Sequence, residues 1–441
     1  MSGRVLRIEL RRSSASAAGL LVAALGIAGL LSLAATREGY VWDPQWTTLA
    51  TFERVMLIVL WPLTLGAGAW QSRRDRRSRA EELLGTTARP AWRRVLPAAL
   101  AMALCLLVGY LLIFLVGAIK VAGDTDYFPW NWLPVALVGA LALIAAGWLG
   151  MGIGRAIPSV YTPPVVVVLG FLALLLPLQL AKGSTPSSAA LFSPGFTDKT
   201  DEFDMIAPSV NLGQFCWFAG LALGGLLLVL FARQLASAAA LVPVVLALVI
   251  ALPIFNAAPA GGVQADPGAS AEVCTHDGGP TVCVTQAHAR SLTALVGPAR
   301  EALRLLGKLP DPPSSVHEVT PRRPGPQPAD QVWFDSDNYA PGVGWDTTDD
   351  RTLLAKILAG VGTMPCDPEN YEVRDITAAW LIGQYPAPGR EVGPGPAADR
   401  RNAMWQALES LPRAEQVRRV AAVRQAGLSC GDVGAALSGG H

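Results

Sequence analysis

Seven nearly unbroken apolar stretches dominate the first 255 positions of the chain, separated by more polar connections of varied length. They fall at Ala17–Ala35, Val55–Trp70, Val95–Ile119, Leu133–Ile153, Tyr161–Ala181, Leu212–Ala232 and Ala236–Phe255. Each holds about 16 to 25 residues, the length a helix needs to cross roughly 30 Å of hydrocarbon. The pattern predicts seven membrane-crossing helices. Arg11 and Arg12 precede the first stretch, as in a signal peptide. Its apolar run is too long for a signal core and no clear cleavage site follows, so it reads as a retained helix.

Beyond Phe255 the pattern changes. Ala257–Ser270 is mostly Pro, Gly and Ala and reads as a linker. Shorter amphipathic elements follow over about 271–430. Two short strands flank an Asp-Gly turn between Cys274 and Cys283. Next come a helix near Thr285–Lys308 and strands at Val316–Thr320 and Val332–Asp335. Helices are expected at Asp350–Val361, Tyr371–Gln384, Ala398–Ser410 and Arg413–Leu428. In the last of these Val417, Val420 and Ala421 form an apolar stripe, while Arg418, Arg419 and Arg424 read as solvated. This segment is a mainly helical α+β domain with length enough for its own core.

Charge orients the spans. The connection Gln71–Arg94 carries eight arginines, and Lys and Arg flanking a span are retained on the cytoplasmic side. Arg4, Arg7, Arg11 and Arg12 before the first span, Arg155 after the fourth and Arg233 after the sixth follow the same rule. The intervening connections hold Tyr40, Trp42 and Asp43, then Asp124, Asp126 and Tyr127, then Asp201, Glu202 and Asp204, which are acidic or aromatic. An odd number of spans from an inside N-terminus leaves the C-terminal domain outside. Segment 1–16 is either an interfacial helix on the inner leaflet or an ordinary positive flank. Lys182–Asn211 either dips toward the bilayer or forms a flexible outer loop.

Composition agrees. Charged residues make up 16% and hydrophobic ones 51%, against roughly 25% charged in a soluble protein. The net charge of +1 conceals a divide: from Ala257 onward there are 16 Lys and Arg against 21 Asp and Glu. An acidic domain beyond a basic membrane half argues against nucleic-acid binding, which requires one coherent basic face. The lipid bilayer is the expected partner surface, and the cell membrane the expected location of this multi-pass chain.

The cysteines divide in the same way. Cys105 and Cys216 lie within spans, where lone thiols act as packing residues. Cys274, Cys283, Cys366 and Cys430 all fall in the outer domain, where an oxidising compartment favours disulfides. The hairpin joins Cys274 to Cys283, and elimination pairs Cys366 with Cys430.

Catalytic and metal motifs are weak. No G-x-x-x-x-G-K-[S/T] phosphate loop occurs, so no ATP site is expected in this chain. His317-Glu318 opens like a zinc-protease helix, but the second His is missing and Pro321 breaks the helix. Asp335-Ser-Asp-Asn-Tyr resembles the start of a calcium loop, with Tyr339 where an acid belongs. Paired thiolate zinc ligands need closer spacing than these cysteines offer. The expectation is therefore no catalytic residue, metal or cofactor in this chain. Within the spans, Glu53 and Arg54 read as interfacial at the outer edge of the second, with no buried ionisable cluster. Gly147, Gly150, Gly152, Gly154, Gly170, Gly220, Gly224 and Gly225 read as helix-packing positions.

A basic segment ending Glu9-Leu10-Arg11-Arg12, two spans, and then the run Arg79–Arg94 leading into the third span resemble the permease subunits of bacterial ABC-2-type ABC transporters. The resemblance covers about Met1–Ala232. It implies that loop 71–94 is a coupling loop docking on an ATP-binding subunit in trans, with Arg79, Glu81, Glu82, Leu83, Leu84 and Thr86 as its contacts. It also implies a permease homodimer or heterodimer, with ATP and Mg on the partner ATPase. The expected plan is a six-span core over 17–235, a seventh helix at 236–256, a linker at 257–270 and a disulfide-bearing domain at 271–441. The seventh span and outer domain depart from the usual core. The expected function is the permease of an ATP-driven exporter; the alternative is a membrane-anchored sensor or interaction protein whose outer domain binds a ligand.

Overall fold

The computed structural model describes residues 14–34, 45–73, 91–180, 188–195, 202–231, 238–320, 326–335, 349–366, 371–389 and 395–439. It divides into two compact units, Met1–Asp124 with Phe128–Asp266, and Thr125–Tyr127 with Pro267–His441.

Every apolar stretch of the first unit is occupied by a helix: α1 Ala15–Ala34, α2 Trp46–Ser72, α3 Ala91–Asp124, α4 Trp132–Ala156, α5 Thr162–Leu180, α6 Pro208–Leu230 and α7 Leu241–Asn256. Among the described residues, five of these, α1 to α4 and α6, are long and apolar enough to cross a membrane; the described apolar part of α5, Thr162–Leu176, and α7 are shorter. The unit is that of a helical multi-pass membrane protein. Its core is built from Leu57, Leu60 and Trp61 of α2, Met102 and Leu106 of α3, Leu143 of α4 and Phe218 of α6. Glycines set the helix spacing. A Cβ at Gly150 would strike the Leu65 carbonyl oxygen, and one at Gly68 would strike that of Gly147, so α2 and α4 cross backbone to backbone.

Three expectations change here. The second helix begins at Trp46, nine residues before the apolar run, and carries Glu53 and Arg54 inside it. Thr47 and Thr48 diluted the apolar signal. Yet both hydroxyls are satisfied, Thr47 donating to Asn131 Oδ1 at 2.9 Å and Thr48 to the Gln45 carbonyl at 2.9 Å. The expected linker is in part a folded element. Gly261 and Gly262, at φ 74° and 71°, reverse the chain, and β2 Val263–Ala265 then pairs antiparallel with β1 Asp204–Ile206. These glycines provide left-handed turn geometry rather than looseness. Finally, the 182–211 connection is described over 188–195 and 202–211, and it folds in: Leu191 of the 3₁₀ turn Ser188–Phe192 packs with Ile206, Val210 and Phe255.

The second unit is α+β, as expected. Strands β3 Glu272–Cys274, β4 Val282–Thr285, β5 Ser315–Glu318 and β6 Gln331–Phe334 form a sheet in sequence order, β3 antiparallel to β4 and the rest parallel. A parallel pair needs a crossover. Between β4 and β5 it is α8 Leu292–Leu306, preceded by a 3₁₀ segment Gln286–Ser291 where the sequence suggested continuous helix. Leu295, Ala299, Ala302 and Leu306 of α8 cover Val282, Val284, Val316 and Val332. The other helices are α9 Asp350–Leu358, α10 Tyr371–Ile382, α11 Pro396–Glu409, α12 Arg413–Ser429 and α13 Val433–Ser438.

Both expected disulfides are formed, Cys274–Cys283 across the β3–β4 hairpin and Cys366–Cys430, and Cys105 and Cys216 are free. Arg424 departs from its solvated reading. It is 2% exposed, donating to the carbonyl oxygens of Val361 at 2.9 Å, Ala329 at 2.7 Å and Gln331 at 3.1 Å.

Candidate functional site

Glu53 and Arg54 lie seven and eight residues into α2, about 11 Å along its axis at 1.5 Å per residue. Consecutive residues on a helix point about 100° apart, so the two side chains reach different neighbours. Both are buried, at 1% and 0% exposure. The sequence placed them at an interface; the longer helix and its packing place them inside the bundle.

Arg54 is held by neutral oxygens. Its Nε donates to the Pro194 carbonyl at 2.9 Å, Nη1 to Asn211 Oδ1 at 3.4 Å, and Nη2 to Gln214 Oε1. Asn211 and Gln214 stand three residues apart on α6 and so share one helix face. Gln214 is itself fixed, its Nε2 donating to the carbonyls of Leu191 at 2.9 Å and Ser193 at 3.1 Å. Those two acceptors demand the NH₂ group, which leaves Oε1 for a guanidinium that only donates. One cation therefore binds α2, α6 and the 188–195 turn together. Distributing a buried charge over several oriented dipoles is what makes its burial tolerable.

Glu53 faces elsewhere. The Tyr110 hydroxyl on α3 lies against its carboxyl, but neither group completes a well-aligned hydrogen bond among the described residues. Tyr110 rests on Gly139 of α4, where any Cβ would collide with the phenol oxygen. The polar centre thus takes residues from α2, α3, α4 and α6. Ionisable side chains so placed are costly in a membrane bundle and mark functional positions.

No protein-family model, characterised protein or solved structure matches the chain. Any functional reading therefore stands on this chain's own residues.

Of the residues singled out from sequence, Arg79, Glu81, Glu82, Leu83, Leu84 and Thr86 of the coupling loop lie outside the described residues. Cys274, Cys283, Cys366 and Cys430 are joined in their two pairs. The zinc-like His317-Glu318 pair is taken up locally. His317 Nε2 contacts Ser315 Oγ at 3.1 Å and Nδ1 lies 3.6 Å from Glu272. Glu318 accepts from Thr285 N and Oγ1, each at 2.8 Å, and meets His288 Nδ1 at 2.6 Å. Burial alone would raise the Glu318 carboxyl, but the His288 charge and these donors hold it below its ordinary value of 4.5. Glu272 with Cys274 and Cys283 forms a compact donor group. The disulfide removes both thiolates, which metal binding requires.

Sequence reasoning missed Tyr110, Asn211 and Gln214. The available signal was two amides three residues apart at the start of an apolar span, facing a charged pair on another span. Only their proximity reveals it.

Proposed function

We propose that the chain is the membrane-spanning permease subunit of an ATP-driven exporter, with ATP hydrolysed by a separate chain. The observation supporting it is the Arg54 centre, which ties α2 to α6 and the 188–195 turn, so that a displacement of α2 is felt across the bundle. The arginine-rich loop 71–94 leaves the C-terminal end of that same helix and leads into α3. In this reading Arg79, Glu81, Glu82, Leu83, Leu84 and Thr86 dock the ATPase, ATP-driven closure pulls on α2, and the bundle alternates by hinge or shear movement. ATP and Mg reside on the partner. The permease works as a homodimer or heterodimer in the cell membrane, N-terminus inside and disulfide-bearing unit outside.

Co-purification tests this directly. Leu83→Asp/Leu84→Asp should abolish retention of an ATPase subunit while leaving membrane insertion intact, because charging an apolar anchor removes much of an interface's energy. Wild-type retention by the double variant would overturn the coupling-loop assignment.

A second reading has its own support. The unit built on residues 267–441 has an independent hydrophobic core and two disulfides, the build of a binding domain on a membrane anchor. Absence of any nucleotide-hydrolysing partner in native membranes would favour it.

A further inference from the structure

A cavity of about 400 Å³ opens between the N-terminal ends of α4 and α6, within the range of small-ligand sites. Leu133 and Leu137 line it from α4, Leu212 and Phe215 from α6. These four are 38%, 54%, 57% and 50% exposed. They stand on helices of membrane-crossing length, so the exposed faces meet hydrocarbon.

Two amides also line the cavity, Asn131 and Asn211. The first is spent: its Nδ2 donates to Asp266 at 2.7 Å and its Oδ1 accepts from Thr47 at 2.9 Å. Asn211 is different. It is 7% exposed, and its Oδ1 is turned to Arg54. Because a guanidinium only donates, the opposite edge of the amide must be NH₂. Among the described residues that NH₂ has no acceptor. Because Asn211 lines the cavity, an occupant carrying an acceptor can take up this donor.

We infer that this cavity binds one acyl chain of a membrane lipid, whose ester carbonyl accepts a hydrogen bond from Asn211 Nδ2. The apolar walls match a hydrocarbon chain, and the lateral exposure gives access from the bilayer. Asn211 is the fourth residue of α6, about 5 Å from its end. That depth corresponds to the boundary between hydrocarbon and polar interface, where ester carbonyls lie. The positive Arg54 behind the amide polarises it toward an acceptor. This inference does not depend on the transport reading.

The test uses the purified full chain in phosphatidylcholine nanodiscs containing a trace of phosphatidylcholine with a diazirine on one acyl chain. After irradiation, adducts should concentrate in peptides covering 131–138 and 205–215. Leu137→Trp fills the cavity from an exposed position and should lower those adducts about fivefold; Leu212→Trp repeats the test should the first variant fail to fold. Leu169→Trp, on the exposed face of α5, should leave them unchanged. An ether-linked analogue, lacking the carbonyl, should label the site about fivefold less, the value of one hydrogen bond. Asn211→Leu should erase that difference. Adducts spread evenly over the exposed faces of α5 and α7, with no response to Leu137→Trp, would overturn the site. Equal labelling by ester and ether lipid would overturn the Asn211 contact.

Discussion

The Arg54 Nε donates to the Pro194 carbonyl at 2.9 Å across 140 positions of chain. A residue in the body of an apolar helix thereby anchors a connection that the sequence leaves open between a dip toward the bilayer and a flexible outer loop. Removing it orphans Pro194 O and Gln214 Oε1 together. Arg54→Leu should lower stability by about 3 kcal/mol, since each buried unsatisfied group costs roughly 1–3 kcal/mol. Arg54→Lys should recover only part, because one ammonium cannot reproduce a planar fork reaching several acceptors. Thermal unfolding in detergent measures both; a wild-type midpoint for Arg54→Leu would refute the anchoring role.

Arg424 and Arg418 share α12 but differ in surroundings. Arg424 is buried against backbone carbonyls, and burial pulls it down to about 10, still protonated near neutrality. Arg418 is 74% exposed along its side chain. Arg424→Met should destabilise by about 3 kcal/mol through its orphaned carbonyls, and Arg418→Ala by about 0.5 kcal/mol or less. Denaturant titration of the two variants should show that contrast; equal effects would contradict the placement of Arg424.

Acid sensitivity should centre on Glu318. Burial opposes its charge, but His288 and the Thr285 donors bring the folded carboxyl below 4.5. A depressed folded value means the unfolded chain binds the proton more tightly. The contribution is therefore complete above 4.5 and is lost as pH falls through the lower folded value. Glu318→Gln should be less stable than wild type at about pH 7 and converge toward it at about pH 3. Unfolding curves at those two pH values decide it; a constant gap would sink the linkage.

The two disulfides close loops of very different length, with sequence separations of 9 and 64. On chain-entropy grounds, opening Cys274–Cys283 should cost about 2.5 kcal/mol and opening Cys366–Cys430 about 4 kcal/mol. Paired Cys→Ser variants, compared by denaturant midpoint, test the order. Non-reducing peptide mapping should recover both linkages, and alkylation of all four thiols without reductant would contradict them.

Helix positions were legible because apolar runs and heptad-scale stripes are local properties of the chain. The seven apolar helices, the Cys274–Cys283 hairpin and the α+β character of the C-terminal unit all follow from residues close in sequence. Side-chain surroundings were not legible. Arg54 reads as interfacial and Arg424 as solvated because a one-dimensional pattern registers charge but not the carbonyls that will meet it. Pro194, Asn211 and Gln214 come to Arg54 from more than a hundred positions away. The same holds for Gly261 and Gly262, which composition reads as a linker and the fold uses to turn β2 onto β1. Hydrophobicity along the chain determined which segments leave water; tertiary packing alone decided which polar groups go with them, because burying a charge depends on partners that only the assembled bundle supplies.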